Sequence, residues 1–159
     1  MEYINRALGT TLQVTHEIFP VVTLTGPRQS GKTTLCRHLY PDMPYINFEN
    51  VQTGLLFNDN PVGFIDSFSN GAIIDEAQIE PTVFRALQTV VDEDRHVGRR
   101  RKFIITGSSN FSIMANSSES MAGRTAPLTL LPLSVNEILQ NRKYDISTNE
   151  LMYLGGYPQ

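Results

Sequence analysis

Apolar positions along the chain switch between strand-length runs and stretches with a helical period. Residues 20–25, Pro20-Val21-Val22-Thr23-Leu24-Thr25, form a β-branched apolar run closed by Gly26 and Pro27. Its near-continuous hydrophobicity predicts a strand buried on both faces. Upstream, residues 2–17 have helix-forming character, with Ile4, Leu8, Leu12 and Ile18 on one side. Residues 32–40 read as a helix stopped by Pro41. Residues 44–48 are a second strand, and 54–68 hold one or two short helices around Pro61. Ala72-Ile73-Ile74 before Asp75 is a third strand, residues 102–106 a fourth and 126–131 a fifth. The strongest helical pattern is at 81–94, where Pro81 suits the first position and Val83, Phe84, Leu87, Val90 and Val91 form one apolar face.

Two helix starts near the end are specified by side-chain chemistry. Ser134 and Glu137 make a Ser-x-x-Glu capping box, with Leu133 and Ile138 as the staple pair. Ser147 and Glu150 repeat it, with Ile146 and Leu151 as staple, before Gly155 and Gly156 stop the helix. Strands alternating with helices imply an α/β fold, a mostly parallel sheet covered on both faces in a three-layer sandwich.

Composition narrows the setting. A chain of 159 residues with 40% apolar and 18% charged residues suits one globular domain. Its formal charge of -3 gives no chain-wide electrostatic footprint for nucleic acid, though a local basic patch stays compatible. The longest apolar runs fall far short of the roughly 20 residues of a membrane span. The N-terminus lacks the basic and apolar regions of a secretory signal. Cys36 is the single cysteine, and His16, His38 and His96 are scattered, so neither a disulfide nor a zinc cluster is expected. The chain reads as cytoplasmic, without membrane contact.

One motif dominates: Gly26-Pro27-Arg28-Gln29-Ser30-Gly31-Lys32-Thr33 fits G-x-x-x-x-G-K-[ST]. The glycines let the backbone curl so that successive N–H groups face a phosphate, and the following helix adds the positive end of its dipole. Lys32 would reach the β- and γ-phosphates, and the Thr33 hydroxyl would bind magnesium. The motif lies between a buried strand and a helix, the context it requires. The nucleotide-binding set is therefore Gly26, Pro27, Arg28, Gln29, Ser30, Gly31, Lys32, Thr33 and Thr34, with Arg28 and Gln29 at a tip that can equally point into solvent.

Hydrolysis needs an acidic second half. Asp75, ending an apolar strand 42 positions after Thr33, fits a Walker B metal ligand, and Glu76 directly after it can orient or deprotonate water. The fourth strand ends in Gly107-Ser108-Ser109-Asn110. If it lies beside the phosphate-loop strand, Ser108 first and Asn110 second face the γ-phosphate, the other reading being a polar turn. Arg124 can stabilise transition-state charge, in cis or from a neighbouring subunit, or be a surface arginine. The basic run Arg99-Arg100-Arg101-Lys102 reads as a solvated strand entry, with nucleic-acid contact as its sharper alternative.

Taken together, Gly-Pro-Arg-Gln-Ser-Gly-Lys-Thr-Thr-Leu (26–35), Ile-Ile-Asp-Glu-Ala-Gln (73–78), Ile-Thr-Gly-Ser (105–108), Ala-Gly-Arg (122–124) and Leu-Pro-Leu-Ser (131–134) resemble the bacterial and archaeal ATPases of the AAA+ superfamily that pair an N-terminal ATPase domain with a C-terminal domain of unknown function. The resemblance runs from Tyr3 to Pro158. It implies a five-stranded AAA+-like P-loop sheet, ATP with Mg2+, Lys32 and Thr33 at phosphates and metal, Asp75 at the metal and Glu76 as base. It raises Ser108 as sensor and Arg124 as arginine finger, and with the latter a homo-oligomer. It divides the chain into a helical segment at 1–18, a nucleotide-binding core at 19–133 and the start of a helical lid at 134–159. Such ATPases continue past the Gly-Gly-Tyr-Pro segment, so the chain reads as a truncated or split frame, or a fragment, without the C-terminal domain.

The leading expectation is Mg-dependent ATP hydrolysis. A non-hydrolysing ATP-binding remnant is the first alternative. A P-loop small-molecule kinase is less favoured because no arginine-rich lid is evident and adjacent Asp75 and Glu76 suit water activation. A GTPase would need a base-reading motif that Arg142-Lys143-Tyr144-Asp145 narrowly misses.

Overall fold

The computed structural model describes residues 3–108, 121–141 and 155–156, and five strands among them form one parallel sheet. β1 (Val21–Thr25), β2 (Tyr45–Asn47), β3 (Ile73–Asp75), β4 (Phe103–Gly107) and β5 (Thr125–Thr129) lie in the order β2-β3-β4-β1-β5. Every pairing is parallel, so all five carboxyl ends share one edge. β4 separates β1 from β3, which places the end of β4 between the phosphate loop and Asp75. Around the sheet lie α1 (Leu8–Ile18), α2 (Lys32–Leu39), α3 (Val51–Asp59), α4 (Pro61–Asp66), α5 (Val83–Val97) and α6 (Val135–Asn141), with a 3-10 turn at Ala77–Ile79.

Period-two alternation divides the core into two layers. Val21, Ile74, Phe103 and Ile105 pack with Phe57, Ile65, Phe84, Leu87 and Val90 from α3, α4 and α5. Their strand neighbours Val22, Leu24, Ile73 and Ile104 pack with Leu12, Leu35 and Cys36 from α1 and α2. With both faces covered, all of β1 is buried, which explains its unbroken apolar run. Burying a side chain such as Phe84 or Leu87 contributes about 1.5–3 kcal/mol.

Several boundaries differ from the sequence expectation, each for a local reason. α1 begins at Leu8, not residue 2, and its N-cap Ala7 gives its N–H to Glu137 Oε1 at 2.8 Å. That carboxylate satisfies an orphan donor and complements the helix dipole. Ile18 is 68% exposed and takes no part in the apolar side of α1. α5 runs past Asp94 to Val97 and ends where Gly98 turns to φ 73°, an αL stop only glycine takes freely. β5 is shorter than 126–131 and starts one residue earlier. It contains Pro127, tolerated because β5 is an edge strand and the missing N–H faces outward. The first capping box closes as its spacing predicts: Ser134 N–H donates to Glu137 Oε2 at 2.8 Å and Glu137 N–H to Ser134 Oγ at 3.2 Å. The second box, Ser147 with Glu150, lies outside the described residues.

Candidate functional site

β1 runs directly into the phosphate loop. Gly26 sits at φ 149°, and a Cβ there would overlap the carbonyl oxygen of Leu130. Gly31 caps α2 at φ 91°, and Gln29 adopts φ 61° at the tip. Arg28, Gln29 and Thr34 are exposed, whereas Ser30 and Lys32 are buried. The Lys32 ammonium donates to Gly26 O at 3.0 Å and Pro27 O at 2.8 Å, so it lies folded across the loop. Burial lowers its pKa, and the carboxylates of Glu76 and Asp75 pull it back upward. Ser30 Oγ is buried with no hydrogen-bond partner among the described residues.

Asp75 joins the loop to the rest of the sheet edge. The Thr33 and Tyr45 hydroxyls each donate to its Oδ2 at 2.7 Å. The Thr106 hydroxyl and the Glu76 N–H donate to Oδ1, the latter at 3.1 Å. Four donors therefore meet a carboxylate with about four lone-pair sites. Burial and the bond to Asp75 raise the Tyr45 pKa, keeping the phenol protonated as a donor.

Glu76 occupies the left-handed region at φ 54°, ψ 41°, an uncommon backbone for a side chain of this size. Gln78, in the 3-10 turn that follows, gives its amide to Glu76 Oε2 and lies 3.4 Å from Ser108 Oγ. Through Gln78, the base candidate and the end of β4 are in one network. Ser108 stands beside the loop as expected, because β4 pairs with β1 from Val21↔Phe103 to Thr25↔Gly107. Asn110 lies outside the described residues.

Arg124 is not part of this cluster. Its carbonyl accepts from Val21 N–H at 3.3 Å, placing it at the amino end of β1, opposite the loop. Arg124 stands level with Pro20, so at about 3.3 Å per strand residue some 20 Å separate it from Gly26. Its guanidinium is held bidentately by Asp92 of α5, at 2.6 and 2.8 Å. The arginine-finger expectation in cis is thereby corrected: a parallel sheet puts residues before a strand and after it at opposite edges. The basic run is also largely engaged. Arg101 is buried against Asp94 and Asp66, and Lys102 Nζ donates to Glu17 O and Phe19 O. Its reading as a solvated strand entry is corrected for these two residues. Arg100 remains exposed, and Arg99 makes one long contact of 3.9 Å with Asp66.

Sequence reasoning missed Tyr45, Thr106, Gln78 and Arg6. Thr106 could have been found, as the last polar residue inside an apolar strand beside β3. Gln78 stands two residues past Glu76, a local spacing that could have marked it, whereas Tyr45 and Arg6 carry no spacing signal, because folding alone brings them to the site.

The family model described as AAA domain matches residues 19–139. The chain belongs to this AAA domain family. Uncharacterised proteins of Mycobacterium bovis and Mycobacterium tuberculosis are each 36% identical to it over 141 residues, covering 87% of this chain and 30% of theirs. The AAA domain described here thus spans about 30% of the length of the curated relatives it matches. Among solved structures, a Walker-type ATPase of Pyrococcus abyssi matches with TM-score 0.63 at 15% identity, over 96% of this chain and 62% of that one. A signal-transduction ATPase with a tetratricopeptide repeat sensor from Pyrococcus horikoshii gives 0.59 at 16%, over 96% of this chain and 27% of that one. AMPPCP-bound DnaA from Aquifex aeolicus gives 0.57 at 12%, over 92% and 53%. These likenesses establish a P-loop α/β fold for the AAA domain. No helix among the described residues is long and apolar enough to cross a membrane.

Proposed function

We propose that this AAA domain binds ATP with magnesium and hydrolyses it. The observation that carries the reading is the convergence of Lys32, Thr33, Asp75, Glu76 and Ser108 at one edge of the sheet, beside a glycine-shaped loop. The backbone of residues 26–34 cradles the phosphates, and Lys32 exchanges two carbonyls for the β- and γ-oxygens. Thr33 and Asp75 offer hard oxygen donors that suit magnesium. Bound there, magnesium would neutralise charge on the phosphate oxygens. Glu76 would take the proton of the attacking water, and Ser108 would contact the γ-phosphate.

A second reading, ATP binding without turnover, is favoured by one feature: the Glu76 carboxylate already accepts from Gln78. Steady-state phosphate release decides between them. Mg-dependent release by the wild type that Glu76→Gln lowers at least about 100-fold supports hydrolysis. ATP bound without release supports the second reading. Arg124 retains a role only toward a neighbouring copy, which requires it to leave Asp92. Sedimentation with ATP and magnesium tests that assembly, and a monomer would overturn it.

A further inference from the structure

Arg6 precedes α1 and, by sequence, is remote from every nucleotide motif. Its side chain is nevertheless only 5% exposed and spans three parts of the molecule. Nη1 donates to Ser30 O in the phosphate loop at 2.7 Å, and Nη2 to Leu131 O beyond β5 at 2.6 Å. Nε donates to Glu137 Oε1 of α6 at 3.1 Å. Glu137 Oε1 also accepts from Ala7 N–H, and Oε2 from Ser134 N–H, so its carboxylate caps α1 and α6 together.

The contact with Ser30 has a direct geometrical consequence. A trans peptide points its C=O and the next N–H in opposite directions. Fixing the Ser30 carbonyl on a buried guanidinium therefore aims Gly31 N–H to the other side, where the loop curls around phosphate. A charge-assisted bond from a rigid planar fork holds that peptide more firmly than water would. We propose that Arg6 is a positioning residue of the phosphate loop and, through Glu137, couples the loop's occupancy to α6. This rests on the nucleotide-binding reading above and adds to it a mechanical link between the loop and α6.

Amide hydrogen exchange on the whole chain, with and without ATP and magnesium, tests the coupling in the wild type. Binding should slow exchange at Ala7 and across residues 135–141 as well as in the loop. Protection confined to residues 26–34 would overturn the coupling. Arg6→Gln should weaken ATP affinity tenfold or more by calorimetry and abolish the response in α6, while Glu137→Gln should weaken affinity a few-fold with the same loss of response. Variants that fold, melt lower and yet keep wild-type affinity would reduce Arg6 to a structural role and overturn its positioning. Lys32→Ala separates the two levels. If it binds as tightly as the wild type, the nucleotide reading itself fails. If it loses binding while Arg6→Gln does not, only the Arg6 inference fails.

Discussion

Thr33 and Asp75, 42 residues apart, are joined by a hydrogen bond of 2.7 Å from hydroxyl to carboxylate. The two residues proposed as magnesium ligands are thus brought within bonding distance by the fold alone. β4 inserts between β1 and β3, yet the parallel register leaves the ends of β1 and β3 on one edge, and α2 starts there. Tyr45 and Thr106 then fix the carboxylate from β2 and β4.

Asp75→Asn tests that arrangement. The amide presents a donor where a hydroxyl or N–H already donates, leaving a buried polar group unpaired at a cost of about 1–3 kcal/mol. It also removes the negative charge proposed for the metal. Urea unfolding should show a loss in that range. Calorimetry should show that magnesium strengthens ATP binding in the wild type and no longer does so in the variant. A preserved magnesium effect would remove Asp75 from the metal site.

Gln78 offers a second test, because its amide engages the carboxylate that must accept a proton. Gln78→Leu keeps the bulk and removes both bonds. If the amide orients Glu76, turnover should fall about tenfold or more with ATP affinity within about twofold of wild type, the pattern of an interaction made in the transition state. Turnover that rises instead would identify the amide as a restraint on the base. Single-turnover phosphate release distinguishes the two outcomes.

The parts legible in the sequence were those whose signals are local. The strand–loop–helix order around Gly26 to Thr33, the alternation of β and α elements and the Ser134–Glu137 box each depend on residues within a few positions of one another. The unread parts depend on where separate segments meet. Arg124 was read from its near neighbours alone, but the sheet's direction sends it away from the loop, whereas Arg6, remote in sequence, is brought onto it by the placement of α1. Tyr45 is an exposed residue whose hydroxyl is nonetheless committed to Asp75, a division no hydropathy pattern records.

Arg124→Ala follows from that contrast. Its pair with Asp92 is partly exposed, and hydrogen bonding to Arg124 is the first cause holding the Asp92 pKa below its ordinary value. Losing it should cost no more than about 1 kcal/mol of stability. ATP affinity measured at dilution should stay within about twofold of wild type, since the residue lies at the far edge of the sheet. A large loss of affinity in a dilute, monomeric sample would contradict the geometry.

His16 sets an acid limit on stability. It is buried on α1, its ring centroid 4.6 Å from that of Tyr40, and its Nδ1 has no hydrogen-bond partner among the described residues. Burial first, then the nearby Lys102 charge, lowers its pKa to about 4 from 6.5. The folded protein therefore resists a proton that the unfolded chain accepts. Stability from this group is full above about pH 6.5 and is lost as the pH falls toward about 4. With roughly 1.4 kcal/mol per pKa unit, the loss between about pH 7 and about pH 5 is about 2 kcal/mol. Urea midpoints at those two pH values, compared for wild type and His16→Leu, measure it. The leucine variant should lose about 2 kcal/mol less than the wild type over that interval, whatever its stability at neutral pH. Equal losses would mean that His16 takes up its proton in the folded state as readily as in the unfolded one.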